Sequence, residues 1–209
     1  MEYPVVEITP TIQGEGYWTG MPVVLVRLAG CNMKQVCDAE FGCDTDFSNF
    51  TRMDVNEIVD RVREHELKTV LLTGGEPTIH DLLELVSAFD RARLRVHLET
   101  NGTRPLGDAL NHIRWITVSP KQQVLEIEVL SELKMLVRPD LTIFPCEPEE
   151  LVCRHVSCRR ALKRILECPH ECLSLQPMWG KTDERAVAEL CIQRDYRLSI
   201  QTHKHLGLK

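Results

Sequence analysis

Thr69-Val70-Leu71-Leu72-Thr73-Gly74-Gly75-Glu76-Pro77 is the stretch on which the fold is decided. Its first half is a short β-branched and leucine run of the kind that forms a buried strand. Its second half places two glycines and an acid directly after that strand, where the backbone can approach a small cofactor closely. Working outward, Pro22–Ala29 reads as another buried strand, and Arg95–Glu99, Trp115–Val118, Leu133–Val137, Cys172–Leu175 and Arg197–Gln201 as further ones. Helical patterns fall between them. Asp54 offers an N-cap with Glu57 three residues on, and Val55, Ile58, Val59 and Val62 keep the spacing of one helix face. Asp81 starts a second helix with Leu82, Leu85, Val86 and Phe89 on one side, and a third runs from about Glu184 to Arg194.

Strand–helix alternation of this kind predicts a parallel sheet with right-handed crossovers. An open α/β sheet and an incomplete TIM-like barrel both satisfy it. Cys31, Thr73–Glu76, Glu99–Gly102, Ser119–Lys121, Gln176-Pro177 and Thr202–Lys204 all follow strands. They are therefore expected at the carboxyl edge of the sheet, where α/β proteins build their sites. No repeat, low-complexity tract or linker interrupts the pattern, so residues 1–209 are read as one domain.

The bulk properties narrow the class. A net charge of −6 and scattered Lys and Arg exclude an extended nucleic-acid or anionic-membrane surface. No apolar run approaches the ~20 residues of a membrane span, and Met1-Glu2-Tyr3-Pro4 lacks the basic and apolar regions of a signal peptide. A cytoplasmic location is expected. In that reducing compartment an odd count of nine cysteines points to metal binding or buried thiols, not disulfides.

Cys31, Cys37 and Cys43 crowd into one loop among Asn, Lys, Gln, Asp and Gly, leading into Asp44-Thr45-Asp46-Phe47. Three thiolates in a loop can hold three corners of a 4Fe–4S cube and leave its fourth iron open. Cys191 is different: it lies on the helical pattern with Val187 and Leu190 and reads as a buried thiol. Cys146, Cys153, Cys158, Cys168 and Cys172 occupy the least legible region, and their spacing matches no paired zinc pattern. Unconnected thiols are expected there.

With these features in place, the chain resembles a radical S-adenosylmethionine enzyme. Gln13-Gly14-Glu15-Gly16, the strand Leu25–Leu28 and Gly30-Cys31-Asn32 narrow the resemblance to the 7-carboxy-7-deazaguanine synthase family. Cys43-Asp44-Thr45, Thr73–Pro77, Glu99–Thr103, Val118-Ser119-Pro120-Lys121 and Leu198–Lys204 match as well, nearly end to end. The resemblance implies a partial TIM-like barrel of about six parallel strands with its cofactor site at the carboxyl edge. It implies radical-mediated contraction of 6-carboxy-5,6,7,8-tetrahydropterin to 7-carboxy-7-deazaguanine, with release of ammonia, on the route to queuosine. A 4Fe–4S cluster, S-adenosylmethionine and Mg²⁺ are the implied cofactors. An electron donor such as flavodoxin and a homodimeric state complete the implied partners.

Carried over by position, Cys31, Cys37 and Cys43 would hold the cluster, and Thr45 would contact Mg²⁺ through its hydroxyl. Gly75, Glu76, Glu99, Ser119, Pro120, Lys121 and Gln176 would bind S-adenosylmethionine. Ile12, Gln13, Gly14, Glu15, Arg27, Thr73 and His203 would form the substrate pocket. The residue chemistry agrees. Gln13 and Glu15 can pair with the donor and acceptor edge of a pterin, and the Arg27 fork matches a carboxylate in two hydrogen bonds. Arg27 alone would read as an exposed strand arginine, but it lies in an otherwise apolar strand. Lys121 without the flanking Ser-Pro would read as a solvated lysine. His203 rests on the matched Gln-Thr-His-Lys segment.

One departure stands out. The usual two residues between the second and third cysteines are replaced by a Cys-x5-Cys-x5-Cys spacing, and Glu40 stands where the second cysteine would fall. Cys37 is assigned as the only other thiol of the loop. Two other readings compete: a radical enzyme of another reaction type, which would not need Arg27, Gln13 and Glu15, and a non-catalytic module holding structural zinc. Zinc normally takes four protein ligands, and the loop offers three thiols.

Overall fold

Alternate residues of the central strands face opposite ways, and each face has its own chemistry. The structure, a computed structural model, describes residues 1–43 and 45–208. Its strands are β1 (Glu2–Ile12), β2 (Pro22–Leu28), β3 (Thr51–Asp54), β4 (Thr69–Gly74), β5 (Arg95–Thr100) and β6 (Trp115–Val118). Then come β7 (Val124–Leu125), β8 (Glu132–Val137), β9 (Ile143–Phe144), β10 (Val152–Cys153), β11 (Leu173–Pro177) and β12 (Arg197–Leu198). The helices are α1 (Lys34–Glu40), α2 (Val55–Arg63), α3 (Leu83–Arg91), α4 (Val156–Glu167), α5 (Pro169–Cys172), α6 (Glu184–Arg194) and α7 (Thr202–His205).

The main sheet has the order β12-β11-β8-β6-β5-β4-β2-β1-β3, with β9 paired to β8. Every pairing from β2 to β12 along that order is parallel. β1 runs antiparallel to β2, and β3 antiparallel to β1. The fold is therefore mixed α/β with a mostly parallel sheet. Among the described residues no helix is long and apolar enough to cross a membrane.

One face packs on the helices. Val24, Val26, Leu28, Val70, Leu72, Val96, Leu98, Leu133 and Met135 join Ile58, Leu85, Val86, Phe89, Leu162 and Val187 in a single core. Each such side chain contributes about 1.5–3 kcal/mol on burial. The other face alternates in step with it: Leu25, Arg27, Leu71, Thr73, Glu99, Lys134, Leu136 and Gln176 point into a cavity. A two-residue period puts polar groups in the cavity without disturbing the core.

The helix starts follow their caps. Asp54 accepts from the amides of Asn56 and Glu57 at 2.8 and 3.0 Å, and Glu57 returns the bond to the Asp54 amide at 2.8 Å. Asp81 accepts from the Leu83 amide at 3.1 Å, so α3 begins two residues past the expected start. Glu184–Arg194 is helical as expected, capped by Asp183.

Several elements differ from expectation. β1, eleven residues long, has no alternation marked enough to announce it, because both its faces are half-buried. The cysteine loop is not all loop. Lys34–Glu40 coil into α1 with Cys37 on the buried side, and the Lys34–Asp38 pair at 2.7 Å braces the exposed side. Cys172 ends α5 and does not open a strand, since β11 begins at Leu173. The last strand pairs only over Arg197–Leu198, after which Ser199 turns inward. α4 starts at Val156, inside the region whose cysteine spacing gave no legible pattern.

Candidate active site

A cavity of about 740 Å³ opens along the polar face of the sheet. Ile12, Gln13, Gly14, Glu15, Arg27, Thr45, Thr73, Glu99, Ser119, Lys121, Gln176 and His203 all line it. Twelve of the expected site residues are thus brought together from both ends of the chain. Gln13, Gly14 and Glu15 arrive from the opposite direction to the rest. Ile12 pairs with Pro22, so the turn between them lies at the amino edge of the parallel strands and folds up into the cavity.

Glycine makes this closure possible. A Cβ on Gly14 would stand 1.8 Å from Nδ1 of His203, so the ring lies directly on the Gly14 backbone. The Thr202 amide donates to the Gly14 carbonyl at 2.9 Å, and the Gly16 amide donates to Ser199 Oγ at 2.8 Å. Ser199 Oγ in turn donates to Gln176 Oε1 at 2.9 Å.

The charged groups form two sets. Across three strands, Arg27 pairs with Glu7 on β1 and Thr73 on β4 in register. Arg27 Nε donates to Glu7 Oε1 at 2.7 Å, and its Nη1 makes a long 3.5 Å contact with the Gly74 carbonyl at the cavity wall. Deeper in, Lys134 Nζ donates to Glu15 Oε2 at 2.5 Å and to Glu99 Oε2 at 2.9 Å. Gln201 Nε2 donates to Glu15 Oε1 at 2.6 Å, and Gln13 Nε2 to Glu99 Oε1 at 3.0 Å. Burial alone would raise Glu15, but the Lys134 charge and hydrogen bond, with that from Gln201, hold it down to about 2. Glu99 is raised, because burial outweighs its share of Lys134.

Sequence reasoning missed Lys134 and Gln201. Lys134 carried a usable signal, a cation inside an apolar strand, which is the argument that singled out Arg27. Gln201 carried none beyond its place in a matched segment. Glu99 was expected with the cofactor contacts; its partners are Gln13 and Lys134.

The cysteines lie at the carboxyl end, beside the cavity. Cys37 lies within electrostatic reach of Cys31 and Cys43, Cys31 within reach of Cys43, and Lys121 faces both Cys31 and Cys37. Cys43 reaches them because its amide donates to Asp38 Oδ1 at 3.2 Å, folding the chain back onto α1. Burial raises the Cys31 thiol and pushes Cys37 up to about 11, so ligation here must release protons. A Cβ on Gly75 would lie 2.3 Å from the Gly30 carbonyl oxygen and 2.8 Å from Cys31 Cβ. The glycine pair therefore packs β4 against the cysteine segment, and the Gly75 amide donates to the Leu28 carbonyl at 3.1 Å.

Glu76 is fully buried, with its carboxylate engaged by Thr78 Oγ1 at 2.7 Å, Thr100 Oγ1 at 2.6 Å and the amides of Thr78 and Asn101 at 3.1 and 2.6 Å. Lys121 Nζ donates to the carbonyl and Oγ of Ser119 at 2.9 and 2.8 Å, with buried Pro120 between them. Burial pulls the Lys121 ammonium down. Thr45 lines the cavity beside Asp46, while Asp44 lies outside the described residues.

Among the described residues no three His, Cys, Asp or Glu side chains converge closely enough for one metal ion. A single zinc needs its sulfurs about 2.3 Å from one centre. Cys31, Cys37 and Cys43 supply three thiol donors at the carboxyl end, the donor chemistry that a 4Fe–4S cluster takes. Around β10 and α4, Cys153 and Cys158 hydrogen-bond to each other, and Cys168 is exposed.

Residues 29–141 match the Radical SAM superfamily. A 7-carboxy-7-deazaguanine synthase of Bacteroides thetaiotaomicron is 34% identical over 206 residues, 97% of each chain. The chain belongs to the 7-carboxy-7-deazaguanine synthase family. The Escherichia coli K12 synthase is 32% identical over the full length of both. A solved structure, the crystal structure of QueE from Escherichia coli, superposes with a TM-score of 0.63 at 28% identity, covering 97% of this chain and 95% of that one. The match runs the whole length of these synthases, so the β1–β2 turn and the C-terminal Gln201–His203 segment belong to the shared unit.

Proposed function

We propose that this chain, a radical S-adenosylmethionine lyase, contracts 6-carboxy-5,6,7,8-tetrahydropterin to 7-carboxy-7-deazaguanine with release of ammonia in queuosine biosynthesis. The observation that carries the reading is the 34% identity over 97% of both chains to a synthase of that name, joined to a cavity lined by the expected residues.

Cys31, Cys37 and Cys43 would hold a 4Fe–4S cluster, which when bound supplies the electron that cleaves S-adenosylmethionine to its 5′-deoxyadenosyl radical. Gly75 brings the backbone of β4 to the cysteine segment and offers its carbonyl to the cofactor's amine. Glu76 fixes that turn by holding Thr78, Thr100 and Asn101. Ser119 and Pro120 aim the Lys121 ammonium toward the cofactor carboxylate. Gln176, steadied by Ser199, borders the same end.

The terminal nitrogens of Arg27 take the pterin carboxylate, and Thr45 takes Mg²⁺ beside it, a hard cation held by few protein oxygens. Ile12, Gly14, Thr73 and His203 shape the pocket. Gln13 and Glu15 hold the aminopyrimidinone edge, and Glu99 joins them through its bond to Gln13.

An incomplete barrel is supported by the hydrogen bonds of Gly14 and Gly16, next to β2, with Thr202 and Ser199, past β12 at the other end of the order. The single domain over 1–209, the homodimer, the cytoplasmic location and a flavodoxin-type electron donor rest on the family resemblance. Anaerobic turnover with reductant, S-adenosylmethionine, Mg²⁺ and the carboxytetrahydropterin, read by product mass, tests the reading. The carboxydeazaguanine is the expected product; 5′-deoxyadenosine without it would overturn the substrate.

A further inference from the structure

Lys134 is the most deeply placed cation of the cavity, with 4% of its surface exposed. It lies between two carboxylates, bonding Glu15 at 2.5 Å and Glu99 at 2.9 Å. With Gln201 on Glu15 and Gln13 on Glu99, each of the four carboxylate oxygens already has one protein donor. An ionised carboxylate has about four acceptor sites, so both side chains retain acceptor capacity, and both line the cavity.

We propose that Lys134 is a positioning residue that keeps Glu15 and Glu99 ionised together, so that this end of the cavity selects a ring edge rich in N–H donors. The inference rests on the substrate reading above and deepens it. The bridging ammonium favours the charged form of both carboxylates and opposes the burial that raises Glu99; without it they would share a proton. A protonated member presents a hydroxyl donor where the ring presents its own donors, and that contact is lost.

The surrounding charges do not replace Lys134. Glu132, on the same strand, holds Tyr17 N at 2.9 Å, Thr117 Oγ1 at 3.0 Å and Ser174 Oγ at 3.1 Å, and adds negative charge behind Glu99. Lys204 Nζ bonds Gln201 Oε1 at 3.2 Å. Lys121 is held by Ser119, and His203 faces Glu15.

The test is anaerobic calorimetric binding of 6-carboxytetrahydropterin to the reconstituted holoenzyme between about pH 6 and 8, with infrared detection of protonated carboxyl groups. Wild type should show a flatter pH profile and less protonated carboxyl than the Lys134→Met protein. Lys134→Met should bind about tenfold or more weakly, worsening as pH falls, and should show the carboxylic C=O band. Lys134→Met with Glu99→Gln should lose both the band and the added pH dependence. A Lys134→Met protein with the wild-type pH profile and no band overturns the proposal. If Lys134→Met fails to fold, Lys134→Arg serves: the charge is kept, so no band should appear, and its appearance would overturn the proposal. Wild type that binds no pterin rejects the substrate reading, while the infrared comparison still decides the role of Lys134.

Discussion

Gly75 and Cys31 pack so closely that a Cβ on Gly75 would lie 2.8 Å from Cys31 Cβ. The glycine is required by the meeting of two strand ends before any cofactor is considered. Gly75→Ala should cost about 1–3 kcal/mol through overpacking and displace the cysteine segment. Iron content after anaerobic reconstitution should fall several-fold, with a lower urea midpoint. Unchanged iron would show that Cys31 is positioned independently of the turn.

Cys37 and Cys191 are both buried thiols, and their local structure distinguishes them. Cys37 faces Cys31 and Cys43, whereas Cys191 sits on α6 and donates to the Arg197 carbonyl at 3.3 Å. Cys37→Ala should lose most of the bound iron. Cys191→Ala should retain it and cost about 1 kcal/mol of stability. Iron and sulfide assays on the two variants check both halves.

Gly14→Ala should act through His203, since the added methyl would meet the ring within bonding distance. The expected result is a fall of about tenfold or more in kcat/KM for the pterin, with normal iron loading. Loss of iron as well would mean that the β1–β2 turn also supports the cluster end.

His97 gives the chain an acid-sensitive element away from the cluster. Burial, reinforced by Arg95 and Arg114, lowers its pKa to about 4, and it lies beside Trp18 and Trp115. The unfolded chain gains a proton near the ordinary histidine value, while the folded chain resists it down to about 4. Stability is therefore lost as pH falls between those values, by about 2 kcal/mol from neutral pH to pH 5. Denaturant melts at the two pH values should show this loss in wild type and a smaller one in His97→Phe.

Much of the site was legible because its residues broke local patterns. Arg27 in an apolar strand, cysteines among polar residues and two glycines after a strand each contradict an ordinary element. The short strands β3, β7, β9 and β10 were not legible, being two to four residues long and held by partners remote in sequence. α1 was not legible because it is only seven residues long, buries Cys37 alone and is braced by the single Lys34–Asp38 pair.

The sequence by itself determined the alternation of strands and helices, the cap at Asp54, and which residues carry unusual chemistry. These are encoded by neighbours a few positions apart, through periodicity and local hydrogen bonding. The tertiary structure alone decided that the β1–β2 turn enters the cavity from the amino edge. It also decided that Lys134 stands between Glu15 and Glu99, and that His203 rests on Gly14. Those contacts join residues 119, 35 and 189 positions apart. Only the packing of the curved sheet brings them together, because no local rule relates a buried lysine to acids that distant.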